Sequence, residues 1–338
     1  MSLRLLQIIL PKRHRDELNV LLDGVDPPAR WHAEIDGDFR MTTVLMRSQL
    51  VEPLSDKLSN TFENTDGFRI VLLPVEATQP KLPEPENDAT GKDDASQTEK
   101  KWAPRFGRIS RDELEEDIRG SAKTDPIFLI MVTLATIVAC VGLIKDSPAI
   151  IIGAMVIAPL LGPNTALALG TTLGDVKLIR VAARSNLIGL AIAVTLAWLF
   201  GLFALPSDLN SEMTARTMVD WFDILLALAS GAAGAIAFTS GASSTIVGVM
   251  VAVALLPPTA ASGMLIGAGE WKLAGGAITM AVTNIVCINL SATAVFLVQG
   301  IRPNAWWDKD RASAATKRAL IIWTGVLGGL AALIAWAW

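Results

Sequence analysis

The residues of this chain best placed to do chemistry are uncharged and sit inside long apolar runs. Gly162-Pro163-Asn164-Thr165 and Pro257-Pro258-Thr259 each interrupt a hydrophobic stretch with helix breakers, followed at once by side-chain donors and acceptors. Proline removes a backbone N–H and frees a carbonyl, and glycine beside it lets the chain unwind. Inside a bilayer, unwound backbone survives only where it is buried in protein or lines a polar cavity. Such a segment can hold a small ion or polar solute with carbonyls, amides and hydroxyls. Asn186, Asn284 and Asn289 lie in the apolar runs that follow. A buried amide in lipid needs a partner, so these three are expected to face the interrupted segments and line the same route. The competing expectation for each is an interhelical hydrogen bond that only holds a bundle together.

What is missing narrows the chemistry further. No Asp, Glu, Lys, Arg or His falls at the centre of any apolar run. A proton relay through membrane carboxylates is therefore not expected, and a strongly charged substrate would lack a fixed counter-charge. There is no Ser/His/Asp set, no metal-ligand cluster and no glycine-rich phosphate loop, so neither catalysis nor a metal or cofactor is expected. His14 and His32 have no metal-ligand spacing and read as surface residues. Cys140 and Cys287 both lie in apolar runs and read as packing residues, not as a disulfide or metal pair. The formal net charge of −4 points to no nucleic-acid partner.

The two interrupted stretches are copies. At a constant offset of 95 residues, 11 of 28 positions are identical between 151–178 and 246–273, among them Gly153/Gly248, Leu161/Leu256, Pro163/Pro258 and Lys177/Lys272. Asp125 and Asp220 correspond at the same offset, each just ahead of an apolar run. The runs long enough to span about 30 Å of hydrocarbon are 126–144, 149–171, 186–205, 223–240, 244–268, 274–298 and 319–337. Seven spans with a cytoplasmic N-terminus put the basic loops inside and the acidic 206–222 loop outside, which leaves the C-terminus extracytoplasmic. The repeat units 126–205 and 223–298 then hold three spans each. An odd number inverts the second unit relative to the first, the symmetry that suits alternating access.

Ahead of the membrane part lies a charged front end. Residues 3–10 read as a strand, Pro11 to about Leu22 as a helix, Arg30–Ile35 and Phe39–Arg47 as a hairpin around Asp36-Gly37-Asp38, 49–63 as a helix and 68–75 as a strand. The order βαββαβ over residues 1–77 is the ferredoxin-like arrangement. RNA binding is not expected of it, since only Trp31 and Phe39 are aromatics near the central strands. The N-terminus lacks a signal-peptide pattern, so this domain is expected to stay on the cytosolic side. Residues 78–104 are Pro-rich, then charged and polar, and read as a disordered linker. A juxtamembrane amphipathic helix is expected within 105–124, with Ser110 and Glu113 as its capping box. The transmembrane domain fills 125–338.

The segments RISRDELEEDI (108–118), IIGAMVIAPLLGPNTALALGTTLGDVKLIR (151–180) and FRIVLLPVEATQP (68–80) resemble the domain of unknown function 389 family of prokaryotic membrane proteins. The resemblance implies a plasma (inner) membrane protein with a cytosolic front domain. It carries over no functional residue. The function expected is movement of a small ion or polar solute past Gly162–Thr165 and Pro257–Thr259, by a homo-oligomer whose cytosolic domain regulates or assembles it. A non-transporting sensor or scaffold and an oligomeric channel are the alternatives.

Overall fold

The computed structural model describes residues 3–25, 27–75, 78, 109–204, 210–241, 244–301, 324–325, 328–329 and 332. The linker expected over 78–104 and the seventh span expected at 319–337 lie almost wholly outside these. Two units separate, Met1–Leu114 and Glu115–Trp338.

The first unit runs β1 (Leu3–Pro11), a 3-10 turn (Lys12–His14), α1 (Arg15–Asp23), β2 (Ala29–Asp36), β3 (Phe39–Arg47), α2 (Ser48–Phe62) and β4 (Arg69–Val75). The strands form one antiparallel sheet in the order β2-β3-β1-β4, with Ile8 opposite Thr42 on one side and Ile70 on the other. Strict alternation on β1 buries Leu6, Ile8 and Leu10 against Val51, Leu54, Leu58 and Phe62, which recur at helical spacing along α2. The helix expected from Pro11 starts later. Pro11 stays extended at the end of β1 (φ −58°, ψ 141°), and Lys12 N–H donates to the Asp38 carbonyl at 2.9 Å before α1 begins.

Helix α3 (Arg111–Ser121) contains the division between the units. Ser110 Oγ accepts from the Glu113 N–H at 3.3 Å, as half of the expected capping box. Glu113 does not reciprocate, because its carboxylate takes the buried guanidinium of Arg4, with Nε at 3.0 Å and Nη2 at 2.7 Å. A bidentate charged pair outcompetes a single backbone donor.

The second unit is helical: α4 (Pro126–Ile144), α5 (Pro148–Ile157), α6 (Leu161–Leu173), α7 (Val176–Ala204), the short α8 (Ser211–Thr214), α9 (Trp221–Thr239), α10 (Ser244–Gly267) and α11 (Trp271–Val298). Among the described residues, helices α4, α7, α9 and α11 are long and apolar enough to cross a membrane, and the bent α5–α6 pair would make a fifth. Helix α7 begins ten residues before the span expected at 186, so Lys177, Arg180 and Arg184 lie in its first turns rather than in a loop. Asp175 restarts the helix there, accepting from the N–H groups of Lys177 (2.9 Å) and Leu178 (3.1 Å).

Backbone geometry repeats at the offset seen in the sequence. A shift of 95 residues carries Pro126–Ile144 onto Trp221–Thr239. Asp125 and Asp220 cap these two helices, accepting from Phe128 N–H and Asp223 N–H. Left-handed residues recur as Asp146/Gly241 (φ 53° and 70°) and Gly174/Gly269 (φ 69° and 81°). Past the second pair, Asp175 N–H reaches the Gly170 carbonyl and Glu270 N–H the Leu265 carbonyl, both at 2.9 Å, as helix C-terminal Schellman bonds do.

Small residues set how closely the helices approach. A Cβ added at Gly201 of α7 would overlap the Met264 carbonyl of α10, and one at Gly263 or Gly267 would overlap the Val194 or Trp198 carbonyl. Gly231 of α9 lies as close to Ile288 of α11. These contacts put the small-residue packing within one chain.

Candidate functional site

The break in the first copy falls at Ala158-Pro159-Leu160, between α5 and α6, whose axes differ by 56°. It precedes the expected site at Gly162-Pro163, for a local reason. The residue ahead of a proline is pushed to extended backbone, and Ala158 adopts φ −69°, ψ 121° ahead of Pro159. Pro163 then lies in the first turn of α6, where its missing N–H costs nothing. In the second copy no break occurs: Pro257 and Pro258 lie inside α10. The carbonyls of Val253 and Ala254 therefore have no donor four residues on.

Three of the expected site residues meet. Asn289 Nδ2 donates to Asn164 Oδ1 at 3.1 Å, and Asn164 Nδ2 donates to Asn186 Oδ1 at 3.0 Å. The orientation of the chain of amides is set by main-chain carbonyls, which can only accept. Asn164 Nδ2 also donates to the Leu160 carbonyl and Asn289 Nδ2 to the Ile285 carbonyl, each at 2.8 Å. Asn186 must then turn its oxygen to Asn164. The relay ends in a donor, Asn186 Nδ2, and an acceptor, Asn289 Oδ1, both buried and without a partner among the described residues.

The other expected residues are placed differently. Thr165 and Thr259 are buried but satisfied by their own helices, donating to Leu161 O (3.0 Å) and Leu255 O (2.7 Å). Asn164 and Thr259 are thus counterparts at the repeat offset, each bonded to the carbonyl four residues back. Gly162 packs on the Ser121 backbone, where a Cβ would not fit. Asn284 is buried on α11, five residues ahead of Asn289, and is not a party to the Asn289–Asn164 and Asn164–Asn186 bonds. Two residues escaped the sequence: the hydroxyls of Thr283 and Thr293 on α11 are buried without a partner among the described residues. Thr293 follows Asn289 by one turn on the same face. Among the described residues no group of His, Cys, Asp and Glu could hold a metal ion, and Cys140 and Cys287 are free and buried.

A family model described as a domain of unknown function, DUF389, matches residues 155–290. An uncharacterised protein of Methanocaldococcus jannaschii is 33% identical over 341 residues, covering 99% of each chain. The chain belongs to the DUF389 family. No solved structure matches it. The part matched by the DUF389 model contains Asn164, Asn186, Asn284 and Asn289 together with the break residues Ala158–Leu160. It excludes the four-stranded sheet.

In this DUF389 member the relay is also gripped from the segment that leads into α4. Ser185 Oγ, one residue before Asn186, donates to the Ala122 carbonyl at 2.7 Å and lies 2.6 Å from Thr124 Oγ1. Arg119 of α3 pairs with Asp175, ahead of α7. Burial opposes the charge on Asp175, but the Leu178 N–H, Arg119 and the Lys177 N–H outweigh it and hold the carboxyl below the usual carboxylate range. Residues 119–124 thus hold both helices that carry the Asn164–Asn186 bond.

Proposed function

We propose that this protein is a membrane carrier for a small ion or polar solute. Its membrane part has seven spans with two inverted three-span repeats, and its front domain is a ferredoxin-like cytosolic module that regulates or assembles it. The observation that supports this reading is the Asn289–Asn164–Asn186 relay, buried among apolar helices and ending in an unused donor and an unused acceptor. A buried polar atom left without a partner costs about 1–3 kcal/mol. A network kept only to hold helices together gains nothing from such ends, whereas a site that must release its ligand needs them. Asn186 stands at the start of the apolar run 186–205, next to Ser185, which bonds the segment ahead of α4, so the relay lies toward that end of the spans.

The absence of charge from the relay selects the cargo: a neutral or zwitterionic solute, or a monovalent ion that carbonyl and amide oxygens can hold. The full-length protein in detergent would be heated with sodium, potassium, chloride, urea, glycerol and alanine in turn, alongside Asn289→Ala and Asn284→Ala. A ligand that binds only the folded state raises the apparent melting point by mass action. We expect one probe to do so in the parent and in Asn284→Ala but not in Asn289→Ala. A shift that survives Asn289→Ala, or no shift with any probe, would overturn the assignment and favour a sensor or scaffold.

A further inference from the structure

We propose a second site, for a phospholipid, in the cleft beside the α5–α6 break, and assign phosphatidylethanolamine as its occupant. The cleft holds about 400 Å³, within the range of about 300–1,000 Å³ typical of small-ligand sites. Its polar lining comes from Ser121, Lys123 and Asp125, ahead of α4, and its apolar lining includes Phe128, Met131 and Val156. Met131 is six residues beyond Asp125, about 9 Å along the helix, so charge and hydrocarbon are separated along one direction. That is the layout of a headgroup with an acyl chain.

Three observations select the occupant. Ile127, Ile130 and Leu134 on α4 and Ile152 and Val156 on α5 are all exposed large aliphatic residues. The cleft therefore sits among surfaces suited to hydrocarbon, and a water-borne metabolite is the poorer fit. Lys123 has no ion pair among the described residues, and Asp125 uses one oxygen to cap α4 at 2.7 Å from Phe128 N, leaving the other. Opposite charges two residues apart suit a phosphate on Lys123 and an ammonium on Asp125. The quaternary ammonium of phosphatidylcholine has no N–H to give Asp125, and phosphatidylglycerol has no cation at all. The same cleft is lined by Pro159 and Gly162, so its occupant touches the break that presents Asn164.

The test is binding of lipid to the delipidated full-length protein, read by native mass spectrometry with dioleoyl phosphatidylethanolamine, phosphatidylglycerol and phosphatidylcholine. Lys123→Ala and Asp125→Asn run in parallel, because Asn keeps the helix cap while losing the charge. Phosphatidylethanolamine should bind the parent best, and each variant should weaken it about tenfold, the value of one charged hydrogen bond. Met131→Trp, which fills the apolar part, should displace it while leaving both charges in place. Equal retention of all three lipids by the parent and the variants would mean an unspecific lipid shell and would overturn the proposal. So would tighter binding of phosphatidylglycerol, or full competition by soluble glycerophosphoethanolamine.

Discussion

The amide of Asn164 is the only member of the relay that both donates and accepts within it, and its neighbours are end groups. Replacing it should therefore cost more than replacing an end. Asn164→Leu strands the Asn186 oxygen and removes three bonds of its side chain, two of them to the other asparagines, and a stability loss of about 1–3 kcal/mol is expected. Asn186→Leu removes one bond but also an orphaned donor, since Asn164 Nδ2 keeps the Leu160 carbonyl. It should change stability by less than about 1 kcal/mol and still abolish ligand binding. Thermal unfolding of the two variants in detergent checks the order; equal losses would make the relay simple helix glue. The asparagines were legible in the sequence because an amide stands out against an apolar run. Thr283 and Thr293 were not. Helical threonines usually satisfy themselves on a carbonyl one turn back, as Thr136, Thr165 and Thr259 do here, and residue type alone does not show which ones fail to.

Among the elements, the sheet and α2 followed from period-two and helical spacing because one face of each is buried in a small core. The breaks were less legible. Pro159 unwinds the chain while Pro257 and Pro258 do not, although both lie in copies of one sequence. A proline only removes a hydrogen bond; packing decides whether the helix continues, and α10 is held against α7 along Gly263 and Gly267. The turn between α6 and α7 offers a test of how the elements are tied. Asp175 is stabilised as the anion by Arg119 and by the α7 N-terminus, so its folded pKa lies below its unfolded one. The stabilisation is then present above the ordinary carboxylate value of about 3.9 and is lost as pH falls through the lower, folded value. The difference in melting point between the parent and Asp175→Asn should be constant above about pH 5 and shrink below about pH 4. A difference that does not change with pH would show that the carboxylate's charge does not contribute.

At the scale of the molecule, the two copies agree in the limits of their first helix, in its N-terminal cap and in left-handed turns, but not at the break or in their polar residues. At the repeat offset Asn164 corresponds to Thr259, Asn186 to Ala281 and Asn289 to Val194. A duplication that kept much of its backbone and diverged in its amides fits the proposed single site. The proposed inversion of the copies makes a direct prediction, because it requires matched positions to lie on opposite sides of the membrane. Lys145 and Ser240 are matched at the offset of 95, both are exposed, and each follows the first helix of its copy. With Cys140 and Cys287 replaced by Ala, Lys145→Cys should react with an impermeant maleimide added to intact cells. Ser240→Cys should react only after the membrane is opened. Labelling of both from the same side would make the copies parallel, and a carrier that rocks between two equivalent halves would then have no structural basis.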